Sequence, residues 1–251
     1  MVSIVRAVAG HCAAVKPQAA CYEAYGSVGW QVLERIVAEA RRLGVPVILD
    51  AKRSDIGSTA VHYRQGLLTS SPPLVGSEQL PGLGVDWLTA NPYLGADSVE
   101  PLIGVPEEGK GVFVLVRTSN PGAQDFQDQV VGDGSLLKVV AAKVHEWGQG
   151  RRGASGFSDV GAVVGATWPS EAAELRAMLP DTLFLVPGFG AQGASASQAV
   201  AGCTDQGTGI IVNSSRAILG AWQSETDRID PVDAARTALD EMNEQLCAAL
   251  P

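Results

Sequence analysis

Apolar positions recur along this chain in two rhythms. Short runs without polar alternation predict strands buried on both faces, as in a parallel sheet. They lie at Cys12–Pro17, Val45–Ala51, Val85–Asn91, Gly111–Arg117, Gly161–Ala166, Thr182–Pro187 and Gly209–Asn213. Between them, spacings of three and four predict helices. Ser27–Leu43 places Val28, Val32, Leu33, Ile36, Val37, Ala40 and Leu43 on one face. Arg41 and Arg42 fall in its last turn and Gly44 follows, which is a helix stop. Ser135–Trp147, Ser170–Met178, Pro231–Ala249 and the opening Val2–Ala9 read the same way, whereas Thr69–Leu83 and Asn120–Gly134 read as loops.

Repeated strand–helix units predict an α/β fold, either a (β/α) barrel or a doubly wound sheet, in a single domain over residues 1–251. No GxGxxG follows the first strand and no GxxxxGK[ST] occurs, which argues against dinucleotide and P-loop sites. Polar residues gather just past the strand ends, at Lys16, Asp50, Lys52, Asn91, Ser119, Gln192 and Arg216. Barrel enzymes build their sites at that end. The pattern supplies seven strands and opens on a helix, whereas a closed barrel needs eight, so either one strand is not legible in the pattern or one is absent at the N-terminus.

The 251 residues suffice for one large core. A net charge of -9 gives no general attraction for nucleic acid or an anionic membrane. No apolar run approaches about 18 residues, so no membrane span is expected. Cys12, Cys21, Cys203 and Cys247 form no paired spacing and read as free thiols of a cytoplasmic protein. His11, His62 and His145 are not spaced as zinc ligands, and no metal site is expected.

Candidate chemistry concentrates in Asp50-Ala51-Lys52-Arg53-Ser54-Asp55-Ile56-Gly57-Ser58-Thr59. The two-residue period of a strand puts Asp50 and Lys52 on one face. Neighbouring strand ends lie about 5 Å apart, close enough for Lys16 to complete a cation–anion–cation set. Such a set serves either catalysis or a structural ion-pair network. Pro187-Gly188-Phe189-Gly190-Ala191-Gln192-Gly193 offers backbone amides to an anion, and Asn213-Ser214-Ser215-Arg216 adds a guanidinium fork. Thr118-Ser119-Asn120-Pro121-Gly122 suits the polar edge of a heterocycle, or a simple capped turn.

Together these motifs resemble the orotidine 5'-phosphate decarboxylases, in their longer bacterial form. The resemblance rests on Asp50-x-Lys52-x-x-Asp55-Ile56-Gly57-x-Thr59, supported by Val15-Lys16-Pro17-Gln18, Asn91-Pro92-Tyr93-Leu94-Gly95, Arg117 to Gly122, Gly165-Ala166-Thr167 and the two anion loops, in the family's order. It implies a TIM (β/α)8 barrel that converts orotidine 5'-phosphate to UMP without metal or organic cofactor. It also implies a homodimer with shared active sites. Lys16, Asp50, Lys52 and Asp55 would be the catalytic charge network. Asp55, Ile56 and Thr59 would reach the partner's site, and Ser119 would meet the pyrimidine. Pro187, Gly190, Gln192, Ser215 and Arg216 would hold the phosphate end. Ser54 stands where the family usually has glycine, and would be strained if φ there is positive. The family's first strand, which ends in a ribose-binding aspartate, has no counterpart here, so the resemblance implies a barrel lacking its first strand in this chain and accounts for the count of seven. A nucleotide-binding relative without turnover, and a paralogue for a modified pyrimidine nucleotide, share the same motifs. Magnesium-dependent sugar-phosphate decarboxylases share Asp-x-Lys-x-x-Asp, but the Ile56-Gly57-Ser58-Thr59 continuation favours the nucleotide enzyme.

Overall fold

A computed structural model describes residues 1–69, 81–104, 106–190, 193–223 and 230–251. The chain forms two units, Met1–Phe113 and Val114–Pro251, and strand β3 (Gly111–Arg117) contributes residues to both.

The first unit contains α1 (Val2–Val8), α2 (Ala19–Glu23), α3 (Gly26–Arg42), β1 (Ile48–Arg53), α4 (Gly57–Leu67), β2 (Trp87–Ala90) and α5 (Ala96–Ile103). Its strongest periodic segment follows the prediction from Leu33 onward: α3 buries Leu33, Ile36, Val37 and Ala40 and stops at Gly44, whose φ is 71°, while Val28 of the predicted face is exposed. Arg6 of α1 and Arg42 of α3 both bond Glu39, and these bonds hold its carboxyl at about 2. β1 and β2 are parallel, with Leu49 opposite Leu88. Trp87 packs on Phe113 with ring centroids 4.4 Å apart.

One expectation for this unit is corrected, and two of its helices were not predicted. The strand at Cys12–Pro17 reduces to two isolated parallel bridges, Val15 to Val47 and Gln18 to Asp50. Helix α4 was not legible because its exposed run buries only Ala60 and Leu67, too few to mark a stripe. Helix α5 was hidden by Pro101, which reads as a breaker, although it lies inside this eight-residue helix. Of the loop predicted at Thr69–Leu83, residues 70–80 lie outside the described residues.

In the second unit follow hairpin strands β4 (Val130–Val131) and β5 (Gly134–Ser135), α6 (Leu136–Gly148), β6 (Ser158–Val164), α7 (Pro169–Met178), β7 (Thr182–Pro187), α8 (Ala196–Ala199), β8 (Ile210–Asn213), α9 (Arg216–Leu219) and α10 (Pro231–Ala249). The segment Asn120–Gly134 is therefore more ordered than a loop: a 3-10 turn at Pro121–Asp125 precedes the hairpin. β6, β7 and β8 pair in parallel, and the last pair runs in register to Pro187 and Asn213. Val160, Ala162, Phe184, Leu185 and Val186 fill the core. Arg176 of α7 stacks on Phe184 at 3.8 Å and donates to the carbonyls of Leu179, Thr182, Gly202 and Gly209. No helix of the described residues is long and apolar enough to cross a membrane. The four cysteines are free thiols.

Leu33 is fully buried, so Leu33→Ala is expected to cost about 2–5 kcal/mol. Urea unfolding checks this, with a lowered midpoint and an unchanged slope.

Candidate active site

The first unit's site is built on an irregularity in β1. From Leu49 to Arg53 that strand advances four residues while its partner advances two, from Leu88 to Ala90. A bulge of this kind interrupts the ladder and re-aims side chains. Within it, Lys52 has φ 48°, the sole positive φ at a non-glycine position among the described residues. Such a conformation costs roughly 1–3 kcal/mol and must be held by its surroundings. Thr89, buried on β2, supplies that hold. Its hydroxyl oxygen accepts the amides of Ala51 at 3.0 Å and Lys52 at 2.9 Å, and donates to Asp50 Oδ1 at 3.0 Å.

Asp50 is the centre of the charge cluster. The segment around Lys16 runs parallel to β1, tied by Ile48 N to Val15 O and Asp50 N to Pro17 O, both 2.9 Å. That alignment brings Lys16 Nζ to 2.8 Å from Asp50 Oδ2, while Lys52 Nζ lies 2.5 Å from Oδ1. Burial by itself raises the Asp50 carboxyl, but the charges and hydrogen bonds of Lys16 and Lys52 outweigh it and hold the group below the usual carboxylate range. The two lysines differ in access: the Lys16 side chain is 12% exposed and that of Lys52 47%. Lys16 therefore fixes the carboxylate, and Lys52 is the ammonium open to a ligand.

The predicted fourth charge does not join this set. Asp55 Oδ1 instead accepts its neighbour's amide, Ile56 N, at 2.8 Å. Ile56 and Thr59 are exposed at the start of α4. The strain expected at Ser54 is not there, because its φ is not positive; the bulge moves the left-handed residue to Lys52.

In the second unit, Ser119 follows β3. A Cβ added at Gly165 would lie 2.9 Å from the Ser119 N, Cα and Cβ, so only glycine allows this close approach. Thr118 is tied down at every polar atom: its amide and hydroxyl bond Gln127, and its carbonyl accepts from Trp168 Nε1 at 3.0 Å. Just before it, Arg117 is buried, stacked over Trp168 at 3.8 Å and paired with Asp128 at 2.5 Å and Glu171 at 3.4 Å. These contacts anchor the loop that presents Ser119.

The two anion loops start side by side, because β7 and β8 pair Pro187 with Asn213. Gly188 and Gly190 have φ of 111° and 70°, a backbone that other residues resist, and the Gly190 amide bonds the Ala194 carbonyl at 3.3 Å. A Cβ at Gly190 would lie 3.9 Å from Ala217 Cβ in α9, so the glycine loop runs close to the start of that helix. Ser215 and Arg216 are exposed beside them. Asn213 Oδ1 and Ser214 Oγ are buried without a hydrogen-bond partner among the described residues. Gln192 lies outside the described residues.

Comparison with known proteins bears on both units. Residues 1–227 match the Orotidine 5'-phosphate decarboxylase / HUMPS family. The orotidine 5'-phosphate decarboxylase of Rhodopirellula baltica is 45% identical over 249 residues, covering 97% of this chain and 81% of the relative. The chain belongs to the orotidine 5'-phosphate decarboxylase / HUMPS family. The orotidine 5'-phosphate decarboxylase of Caldicellulosiruptor bescii is 43% identical, covering 88% of this chain and 72% of the relative. Among solved structures, Leishmania donovani OMP decarboxylase is 35% identical with a TM-score of 0.78, covering 98% of this chain and 86% of that one. The fold is accordingly the α/β TIM barrel of this decarboxylase family. Among the described residues, the first element is α1, with no strand before it.

Against the family's motif, the structure brings Lys16, Asp50 and Lys52 together and leaves Asp55, Ile56 and Thr59 apart from them. Sequence patterning did not single out Thr89, and its one signal was a threonine in an otherwise apolar strand, Trp87-Leu88-Thr89-Ala90. Asp128, Glu171 and Trp168 were missed because nothing in sequence spacing links them to Arg117.

Two outcomes follow. Gly165→Ala should lower stability by about 1–3 kcal/mol through overpacking against Ser119, read from denaturant melts. Asp50 titrates lower in the folded chain than its ordinary 3.8, so its contribution to stability is present above that value and is lost as pH falls through the lower folded value. The wild-type advantage over Asp50→Asn in unfolding free energy should thus be constant near neutral pH and shrink in acid. An advantage that grows below about pH 4 would contradict the assignment.

Proposed function

We propose that this chain removes CO₂ from orotidine 5'-phosphate to give UMP, the last step of pyrimidine nucleotide synthesis. The observation that carries the proposal is the half-exposed Lys52 ammonium set against Asp50 at the end of β1, in a chain of this family. In the reaction the bond from C6 to the carboxylate breaks and its electron pair stays on C6, where no adjacent carbonyl can delocalise it. The Lys52 ammonium stabilises that charge and then donates a proton to C6, and solvent restores the lysine. Asp50 places a like charge near the departing carboxylate, a repulsion relieved as CO₂ leaves. Lys16 keeps Asp50 ionised and oriented.

The remaining roles follow the motif. Ser119 bonds the pyrimidine edge, and Gln192 bridges pyrimidine and phosphate. Pro187, Gly190 and Ser215 line the phosphate loops, and Arg216 supplies the guanidinium. Phosphate binding far from C6 contributes to positioning, so its energy is felt in kcat as well as KM. Residues 1–251 act as one catalytic domain, which works as a cytoplasmic homodimer and uses neither metal nor organic cofactor. Asp55, Ile56 and Thr59 reach into the partner's site. Their separation from the Asp50 cluster and the exposure of Ile56 support this, as do Tyr25 and Tyr93, which are 75% and 79% exposed in the single chain.

Loss of absorbance on conversion of orotidine 5'-phosphate tests the activity directly. Lys52→Ala should lower kcat by more than about 100-fold with UMP still bound. Arg216→Ala should raise KM by about 10–100-fold. Turnover should survive a chelator, which separates this reading from the magnesium-dependent sugar-phosphate enzymes. Mixing inactive Lys52→Ala and Asp55→Asn proteins should restore about a quarter of wild-type activity, because half of random dimers are hybrids and each carries one intact site. No recovery on subunit exchange would refute sharing.

A further inference from the structure

A regular strand points successive amides in opposite directions. At the β1 bulge the amides of Ala51 and Lys52 instead converge on one oxygen, the hydroxyl of Thr89, at 3.0 and 2.9 Å. A hydroxyl has two acceptor positions and one hydrogen. With both acceptor positions filled, the hydrogen goes to Asp50 Oδ1 at 3.0 Å, the same oxygen that Lys52 Nζ approaches at 2.5 Å. One side chain thus holds the backbone of Lys52 at φ 48° and the carboxylate that its ammonium meets. Thr89 is only 1% exposed, so it acts through these groups rather than on a ligand.

We infer that Thr89 is a positioning residue for the reaction: its hydroxyl sets the Lys52 backbone and the Asp50 carboxylate in one geometry. The inference rests on the decarboxylase reading for its kinetic consequence and on the bulge alone for its structural one. Valine matches the shape of threonine but can neither accept nor donate. Serine keeps the hydroxyl and loses the methyl group.

The test compares Thr89→Val and Thr89→Ser with wild type in kcat, UMP affinity and hydrogen exchange at the Ala51 and Lys52 amides. Thr89→Val should lose about 100-fold in kcat, the scale of a catalytic group displaced by about 1 Å, with UMP affinity nearly unchanged. Its Ala51 and Lys52 amides should exchange faster. Thr89→Ser should resemble wild type in all three. A Thr89→Val protein with wild-type kcat and amide protection overturns the inference, and so does a Thr89→Ser protein that falls as far as Thr89→Val. If Thr89→Val does not fold, Thr89→Ser decides alone: kcat and protection near wild type support the hydroxyl's role, and a 100-fold loss overturns it. Wild-type protein without turnover would sink the decarboxylase reading only, since amide exchange would still decide the role of Thr89.

Discussion

A carboxylate taken nine-tenths out of water must be matched by charge and hydrogen bonds, and the way Asp50 is matched organises the first unit. Lys16 comes to one oxygen because its segment runs alongside β1. Lys52 comes to the other because the strand bulges and its backbone turns left-handed. Thr89 makes that turn tolerable by accepting the two amides that the bulge takes out of the ladder. Remove any one of these and a buried charge or a strained backbone is left without support. The strain and the charge sit in the same few residues of β1.

The second unit solves a different problem with similar means. Its strand-end loops must stay open without collapsing onto each other. Arg117, a buried cation stacked on Trp168 and paired with two carboxylates, anchors the start of the Ser119 loop. Gly165 lets the neighbouring strand end come close to it. The loops after β7 and β8 need no such anchor, because the parallel pairing of those strands delivers them side by side. In both units rigid strands fix the start of a loop, and a few side-chain bonds fix its end.

Much of the fold was legible from pattern. The strands at Gly111–Arg117 and Thr182–Pro187 and the helix at Pro231–Ala249 have the bounds that hydrophobic periodicity predicts. Their apolar faces are complete, so local sequence and tertiary packing agree. Where pattern and structure part, the reason differs from element to element. Helix α4 is mostly exposed, α5 contains a proline, and the Lys16 segment pairs at two points only. Tertiary contacts stabilise all three, and a single sequence does not record contacts made at a distance.

The spacing of Asp50, Lys52 and Asp55, the glycine-rich turn and the terminal Arg216 were determined by the sequence alone, because each is a local arrangement within one loop or strand end. The sequence also carried enough of a family's motifs to predict the reaction. What only the tertiary structure decided is which charges meet. It separated Asp55 from the other three, moved the strained backbone from Ser54 to Lys52, and brought Thr89 across from the adjacent strand to hold it. The physical reason is the bulge. A strand's period of two predicts which way side chains point, but an irregular register is set by the partner strand, thirty-seven positions from Lys52 to Thr89 along the chain.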